Sequence, residues 1–234
     1  MSKMINFYNA MPQKYRQNEL TYANYDRVHI QIPFRMLIVG SSGSMKTNTC
    51  INIIHNMNCF TRFYLFAKNT DEPLYKFLIE TLTAASSRVG QQLIVYGNTL
   101  ESIPNVDSFD PKENNLVIFD DFISEKETKL QTISDIFVRG RKHNISSIFI
   151  SQSYFKIPKL IRQNVGYIIL KQIGTARDLS AILKEYALDV DGKQLTNMYR
   201  AASDKPENFF MIDLVTIDGA YRFRRNYSAL VQRA

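Results

Sequence analysis

The chain has 234 residues, 45% of them hydrophobic and 22% charged, which is enough apolar material for one ordinary domain with a full core and too much for a disordered chain. With 9 Gly and 7 Pro, fibrous and low-complexity classes are excluded. Lys and Arg number 29 against 22 Asp and Glu, a net charge of +7 that favours a polyanionic partner.

Residues 1–32 are polar, rich in Tyr and Asn and weakly periodic, so they read as an N-terminal arm or cap before a single domain over 33–234. No apolar stretch of roughly 7–15 residues follows the first lysine, so no secretory signal is visible and a cytosolic chain is expected. Apolar runs such as MLIVG and YIIL fall far short of the roughly 20 residues a bilayer requires, so no membrane span is expected. The two cysteines, Cys50 and Cys59, form no CxxC pair, which argues against zinc or a disulfide framework and for reduced core thiols.

From Pro33 onward, short apolar runs predict buried strands at Phe34–Val39, Phe63–Ala67, Leu93–Tyr96, Leu116–Phe119, Ile145–Ile150, Gly166–Leu170 and Phe209–Leu214. Helical spacing appears between them in Leu74, Phe77, Leu78 and Leu82, in Leu130, Ile133 and Phe137, and in Leu179, Ile182, Leu183 and Tyr186. Alternating strands and helices predict an α/β fold with a mainly parallel sheet covered on both faces. Gly97–Asn115, with Pro104 and Pro111, reads as an irregular connection, and the Asp-Gly inside FFMIDLVTIDGAYRFRRNY predicts a C-terminal antiparallel hairpin.

The segment FRMLIVGSSGSMKTNTCINIIHNM places a strand, a Gly/Ser loop and Lys46-Thr47 before a helix, the arrangement of a phosphate-binding P-loop (Walker A). Gly40, Ser41, Ser42, Gly43, Ser44 and Met45 would curl backbone amides around phosphate oxygens, Lys46 would reach the β and γ phosphates, and Thr47 would ligate Mg²⁺. Met45 stands where the pattern G-x-x-x-x-G-K-[ST] has its last glycine, so its side chain must point away from a nucleotide. Further on, LVIFDD has the form of a Walker B strand, with Asp120 in the Mg²⁺ shell and Asp121 polarising the attacking water. An aspartate there is one methylene short of the more usual glutamate, which predicts slow turnover or a repositioned backbone. The bland alternative for Asp121 is an N-cap.

In FVRGRKHNISSIFISQSYFKIPKLIRQN, a strand closes on Ser151-Gln152, and the Gln152 amide could contact the γ-phosphate and the lytic water. Arg141, with Arg139 in reserve, could stabilise developing phosphoryl charge from a neighbouring subunit, although basic residues at a helix C-terminus also simply complement its dipole.

Together, GSSGSMKT after a strand, LVIFDD, RGRKHNISSIFISQ and IPKLIRQN resemble the FtsK–HerA-type genome-packaging ATPases of double-stranded DNA viruses, of the poxvirus-like and virophage type, from about Pro33 to Leu214. The resemblance implies an additional-strand (ASCE, RecA-like) P-loop NTPase that uses ATP and Mg²⁺. It further implies a homo-oligomeric ring, pentamer or hexamer, driving double-stranded DNA into a capsid through a portal or vertex protein. The expected location is intracellular, in the host cytoplasm or viral factory, with transient association with virions as a further option. Sequence-independent phosphate contacts are expected from Lys156, Lys159 and Arg162, and from Arg222, Arg224 and Arg225. Repeated around a ring, a modest +7 per chain becomes a concentrated positive bore. Two other classes stay open: a nucleotide-binding structural subunit that does not hydrolyse, suggested by Met45, and a HerA-like helicase or pump. A small-molecule kinase ranks below both, for want of an arginine-bearing lid segment.

Overall fold

Successive residues of the central strands are buried on opposite faces of the sheet, and that alternation of faces sorts the core into two layers. The computed structural model describes residue 7 and residues 11–12, 22–187, 190–216, 219–227 and 229–230. The strands are β1 (Arg35–Val39), β2 (Arg62–Ala67), β3 (Ile94–Gly97), β4 (Asn115–Asp120), β5 (Ile145–Ser151), β6 (Tyr167–Leu170), β7 (Phe210–Asp213), β8 (Phe223–Arg225) and β9 (Ala229–Leu230). The helices are α1 (Tyr25–Val28), α2 (Lys46–Met57), α3 (Pro73–Val89), α4 (Gln131–Arg139), α5 (Lys159–Arg162), α6 (Ala176–Tyr186) and α7 (Gly192–Ala202). Met36, Ile38, Leu65, Ile118 and Ile148 point to the layer holding Ile53 and Met57 of α2, while Leu37, Val39, Phe66, Phe119 and Phe149 point to the layer holding α4, α6 and α7. Period-2 placement of apolar groups on both faces is what a sheet covered on both sides requires.

Within the described residues the strands form one sheet in the order β3-β2-β4-β5-β1-β6-β7-β8-β9. The pairs from β3 through β6 are parallel, and β6–β7, β7–β8 and β8–β9 are antiparallel. The expected mainly parallel sheet with an antiparallel C-terminal edge is therefore what the chain forms. The P-loop strand β1 and the acidic strand β4 are not neighbours, because β5 lies between them, with Val39 opposite Ser151 and Ile150 opposite Asp120.

Three expectations are corrected. The C-terminal hairpin does not turn on two residues: Ile212 pairs with Phe223, and a longer connection containing a 3₁₀ turn at Gly219–Tyr221 joins the strands. Asp218 of the Asp-Gly pair lies outside the described residues. On α3 the buried position is Tyr75, whereas Phe77 is 64% exposed, so the inward stripe is rotated from the one that Phe77 marked. Cys50 is buried as expected, but Cys59 is only partly so; both are free thiols. The segment from Tyr22 packs over the α2 layer: Val28 and Ile30 are fully buried, and the Tyr22 hydroxyl donates to the Ile30 carbonyl at 2.6 Å. No described helix is long and apolar enough to cross a membrane.

Candidate nucleotide site

Four apolar residues, Met36–Val39, carry β1 into the loop 40–45, and the chain re-enters regular structure as the twelve-residue α2, whose N-terminus faces that loop. Aligned peptide dipoles make such a terminus favourable to anions. The loop is braced by the segment after β6: the Lys171 amide donates to the Val39 carbonyl at 2.8 Å, and the Ser41 amide donates to the Gln172 carbonyl at 2.8 Å. That brace explains Gly40, where a Cβ would sit 2.6 Å from Lys171 Cβ and 2.6 Å from Ser44 Oγ.

Met45, at the place of the usual last glycine, has φ 62° and ψ 34°. The backbone keeps the left-handed conformation that makes glycine the favoured residue there, and the methionine tolerates it at a cost of roughly 1 kcal/mol. Gly43 is left-handed as well, at φ 74°, so it does not relieve Met45 of the strained conformation. Met45→Gly is accordingly expected to raise the melting temperature of the nucleotide-free protein by about 2–4 °C. A fall in a thermal melt would show that packing of the half-buried methionine outweighs the strain.

Lys46 Nζ donates to the Ser41 carbonyl at 2.8 Å, bridging the loop whose phosphates it would hold. Desolvation lowers its pKa, opposed by the nearby carboxylates of Asp120 and Asp121, so the P-loop lysine and the acidic pair share one cleft. Asp120 is pushed up to about 6, first by burial, against the pull of a hydrogen bond from Tyr75 and of Lys46, and with a further push from Asp121 and Glu72. Tyr75 donates its hydroxyl to Asp120 Oδ2 at 2.7 Å. Thr47 is partly buried one residue after Lys46. A hydroxyl and a carboxylate are hard oxygen donors that suit Mg²⁺. Among the described residues there is no group of three or more His, Cys, Asp or Glu that could hold a metal ion.

Asp121 is exposed and left-handed at φ 62°, and although it precedes the 3₁₀ turn Phe122–Ser124 its side chain makes no cap hydrogen bond. The N-cap reading of Asp121 therefore fails. Strained backbone at a shortened acid beside a cleft is the pattern expected of a functional position. Gln152 is exposed one residue beyond β5, between the P-loop and the acidic pair. With strands about 4.8 Å apart it stands one strand from each, whereas Asp120 stands about 10 Å from β1.

Arg139 and Arg141 precede β5 and so lie at the other end of the sheet, roughly 20 Å from the P-loop along a seven-residue strand. They are both exposed and cannot reach the P-loop of the same chain; Arg139 is paired with Asp107 at 2.6 Å. Among the DNA-contact candidates, Lys156 and Lys159 are exposed. Arg162 is partly buried, lies 4.9 Å from the Tyr154 ring centroid and pairs with Glu185. Arg222 is partly buried, and Arg225 pairs with Asp204 at 2.8 Å. Arg224 is a correction: it is fully buried, paired with Asp213, and donates to the carbonyls of Val28, His29 and Tyr227, so it cannot touch DNA.

Sequence reasoning missed Tyr75 and Lys171. Lys171 is 1% exposed, donates to the carbonyls of Pro206 and Asn208 at 2.6 and 2.8 Å, and is lowered to about 8 by burial. Its signal was a cation directly after the apolar run YIIL, the same position relative to its strand that Asp120 nearly occupies on β4.

The profile described as Poxvirus A32 protein matches residues 22–222. The DNA packaging protein OPG160 of Variola virus is 24% identical over 174 residues, covering 72% of this chain and 64% of the relative, and that of Vaccinia virus (strain Western Reserve) matches to the same extent. The matched region thus spans under two thirds of these relatives' length. In fold, the chain is similar to the DNA-packaging ATPase B204 of Sulfolobus turreted icosahedral virus, with TM-score 0.57 and 12% identity over 86% of this chain and 100% of that one. The genome packaging NTPase B204 of Sulfolobus turreted icosahedral virus 2 in complex with ATP-gammaS gives TM-score 0.55 and 13% identity, with the same coverages.

Proposed function

The chain belongs to the poxvirus A32 protein family, and on that premise we propose that it is an ATP-hydrolysing motor that drives double-stranded viral DNA into a preformed capsid. The observation that carries the reading is the meeting of three strand ends: the P-loop after β1, Gln152 after β5 and Asp120-Asp121 after β4, with Lys46 electrostatically opposite both acids. A simple nucleotide-storing site has no need of a polar amide inserted between the phosphate loop and the acids.

In this reading the amides of residues 40–47 and Lys46 hold the β and γ phosphates, while Thr47 and Asp120 hold the Mg²⁺ that neutralises phosphoryl charge. Asp121 orients the attacking water and accepts its proton, and Gln152 contacts the γ-phosphate and that water. Arg141 of a neighbouring subunit stabilises the transition state. It is the better choice because Arg139 is already paired with Asp107. A closed ring, pentameric or hexameric, supplies that neighbour and aligns the exposed Lys156 and Lys159 of each copy as sequence-independent phosphate contacts. A capsid portal or vertex protein is the docking partner, and the intracellular site of capsid filling is where the motor works. Met45 does not favour a non-hydrolysing subunit, because its backbone has the conformation that the glycine would supply.

ATP hydrolysis by the purified chain at low salt is expected to rise several-fold on adding double-stranded DNA, with the stimulation lost as salt is raised. Hydrolysis indifferent to DNA at low salt would overturn the motor.

A further inference from the structure

Helix α3 is seventeen residues long, yet Tyr75 is its one fully buried position, at 1% exposure. Its phenol does not end among apolar groups. It crosses to the acidic strand and donates to Asp120 Oδ2 at 2.7 Å, between residues 45 apart in sequence. The register sets this up: β2 pairs with β4 so that Ala67 stands opposite Asp120, and the connection from Ala67 to α3 starts beside the acid. A carboxylate held at one oxygen by a buried donor cannot rotate freely, and the charge of this one acts on the Lys46 ammonium across the cleft. Glu72, one turn before Tyr75, has a buried carboxylate oxygen with no hydrogen-bond partner and raises the pKa of both Tyr75 and Asp120, so polar space extends along this side of the acid.

We propose that Tyr75 is a positioning residue for the metal: its hydroxyl fixes the Asp120 carboxylate in the rotamer that presents Oδ1 to the hydrated cation of a bound Mg²⁺–nucleotide. This rests on the nucleotide reading above and adds to it a residue outside the motifs. Metal-assigned carboxylates are held in this way by outer hydrogen bonds, and removal of such a partner characteristically weakens metal binding by about 10- to 100-fold. Tyr75 therefore acts through Asp120 and touches neither phosphate nor water.

The test uses the full chain with Tyr75→Phe, which keeps the buried ring. Mn²⁺ binding in the presence of ADP is followed by electron paramagnetic resonance, and ADP binding without metal is measured in EDTA. The expected result is Mn²⁺ affinity weakened about tenfold, with metal-free ADP affinity unchanged. In an Asp120→Asn background the same substitution is expected to add nothing, because the two residues act as one unit. Unchanged Mn²⁺ affinity in Tyr75→Phe would overturn the proposal while leaving the nucleotide site standing, and so would an equal loss of metal-dependent and metal-free ADP binding, which marks a purely structural role. An unmodified chain that binds no ADP with or without metal would overturn both readings.

Discussion

Lys46→Ala is expected to abolish DNA-stimulated ATP hydrolysis, with a loss of at least about 10²–10³-fold in turnover, the scale of removing one preorganised group from a developing phosphoryl charge. The expectation comes from where the ammonium lies. It is partly desolvated, hydrogen-bonded to the Ser41 carbonyl and opposed by Asp120 and Asp121. In the proposed site its removal takes away the positive group that would hold the phosphates. It also leaves the neighbouring carboxylates of Asp120 and Asp121 without that counter-charge, which raises Asp120 further and would weaken metal binding in the proposed site. Because the side chain is only partly buried, the fold should survive, and the melting temperature should move little. Hydrolysis assays with and without DNA check this, and a variant retaining a large share of its activity would remove the P-loop from the mechanism.

The second large effect concerns stability. Asp213→Ala should destabilise the protein by about 3–5 kcal/mol, because it strands the Arg224 guanidinium in a fully buried position. Arg224 keeps its bonds to the carbonyls of Val28, His29 and Tyr227, but these are neutral acceptors, and its Nε already lacks a partner. The Asp213 carboxylate also accepts from the amides of Val215 and Thr216 at 2.9 Å, so its loss loosens the turn after β7. A chain of this size should melt roughly 10 °C lower, at 2–4 °C per kcal/mol. Replacing both partners, as Arg224→Met with Asp213→Asn, should recover much of the loss, since a neutral buried pair leaves no stranded charge. A double variant no more stable than Asp213→Ala would show that the turn, not the charge, carries the energy. The same arginine pins Val28 and His29, which gives the N-terminal segment its seat on the sheet.

The parts of the site legible in the sequence are those that lie within a few residues of a strand end. Gly40 to Thr47 follow β1, Asp120-Asp121 end β4 and Gln152 follows β5, so each motif carries its own address. The left-handed backbone of Met45 was foreshadowed by the glycine that pattern expects there. Tyr75 was not legible, since its partner is 45 residues away and nothing local separates a tyrosine that reaches a carboxylate from one that fills a core. Leu74, Leu78 and Leu82 of the predicted helical spacing are partly buried, but Phe77 faces water, and only docking against β3 and α2 sets the rotation that turns Tyr75 inward. The basic C-terminal cluster failed for the complementary reason. Composition records a charge, but whether it binds DNA or a buried aspartate depends on a partner chosen by strand register.

Local chemistry was thus settled along the chain: period-2 apolar runs dictate strands, the Gly/Ser loop before Lys46-Thr47 dictates an anion cradle, and the alternation of strands with helices dictates a parallel sheet. Those features depend on backbone sterics and on hydrophobic spacing over a few residues, and the chain displays both directly. Tertiary structure alone decided that β5 enters between β1 and β4, that Tyr75 grips Asp120, that Arg224 is spent on Asp213, and that Arg141 lies at the sheet end opposite its own P-loop. Each of these is a pairing between distant segments, selected by the joint burial of both sheet faces, and no window of sequence contains both partners.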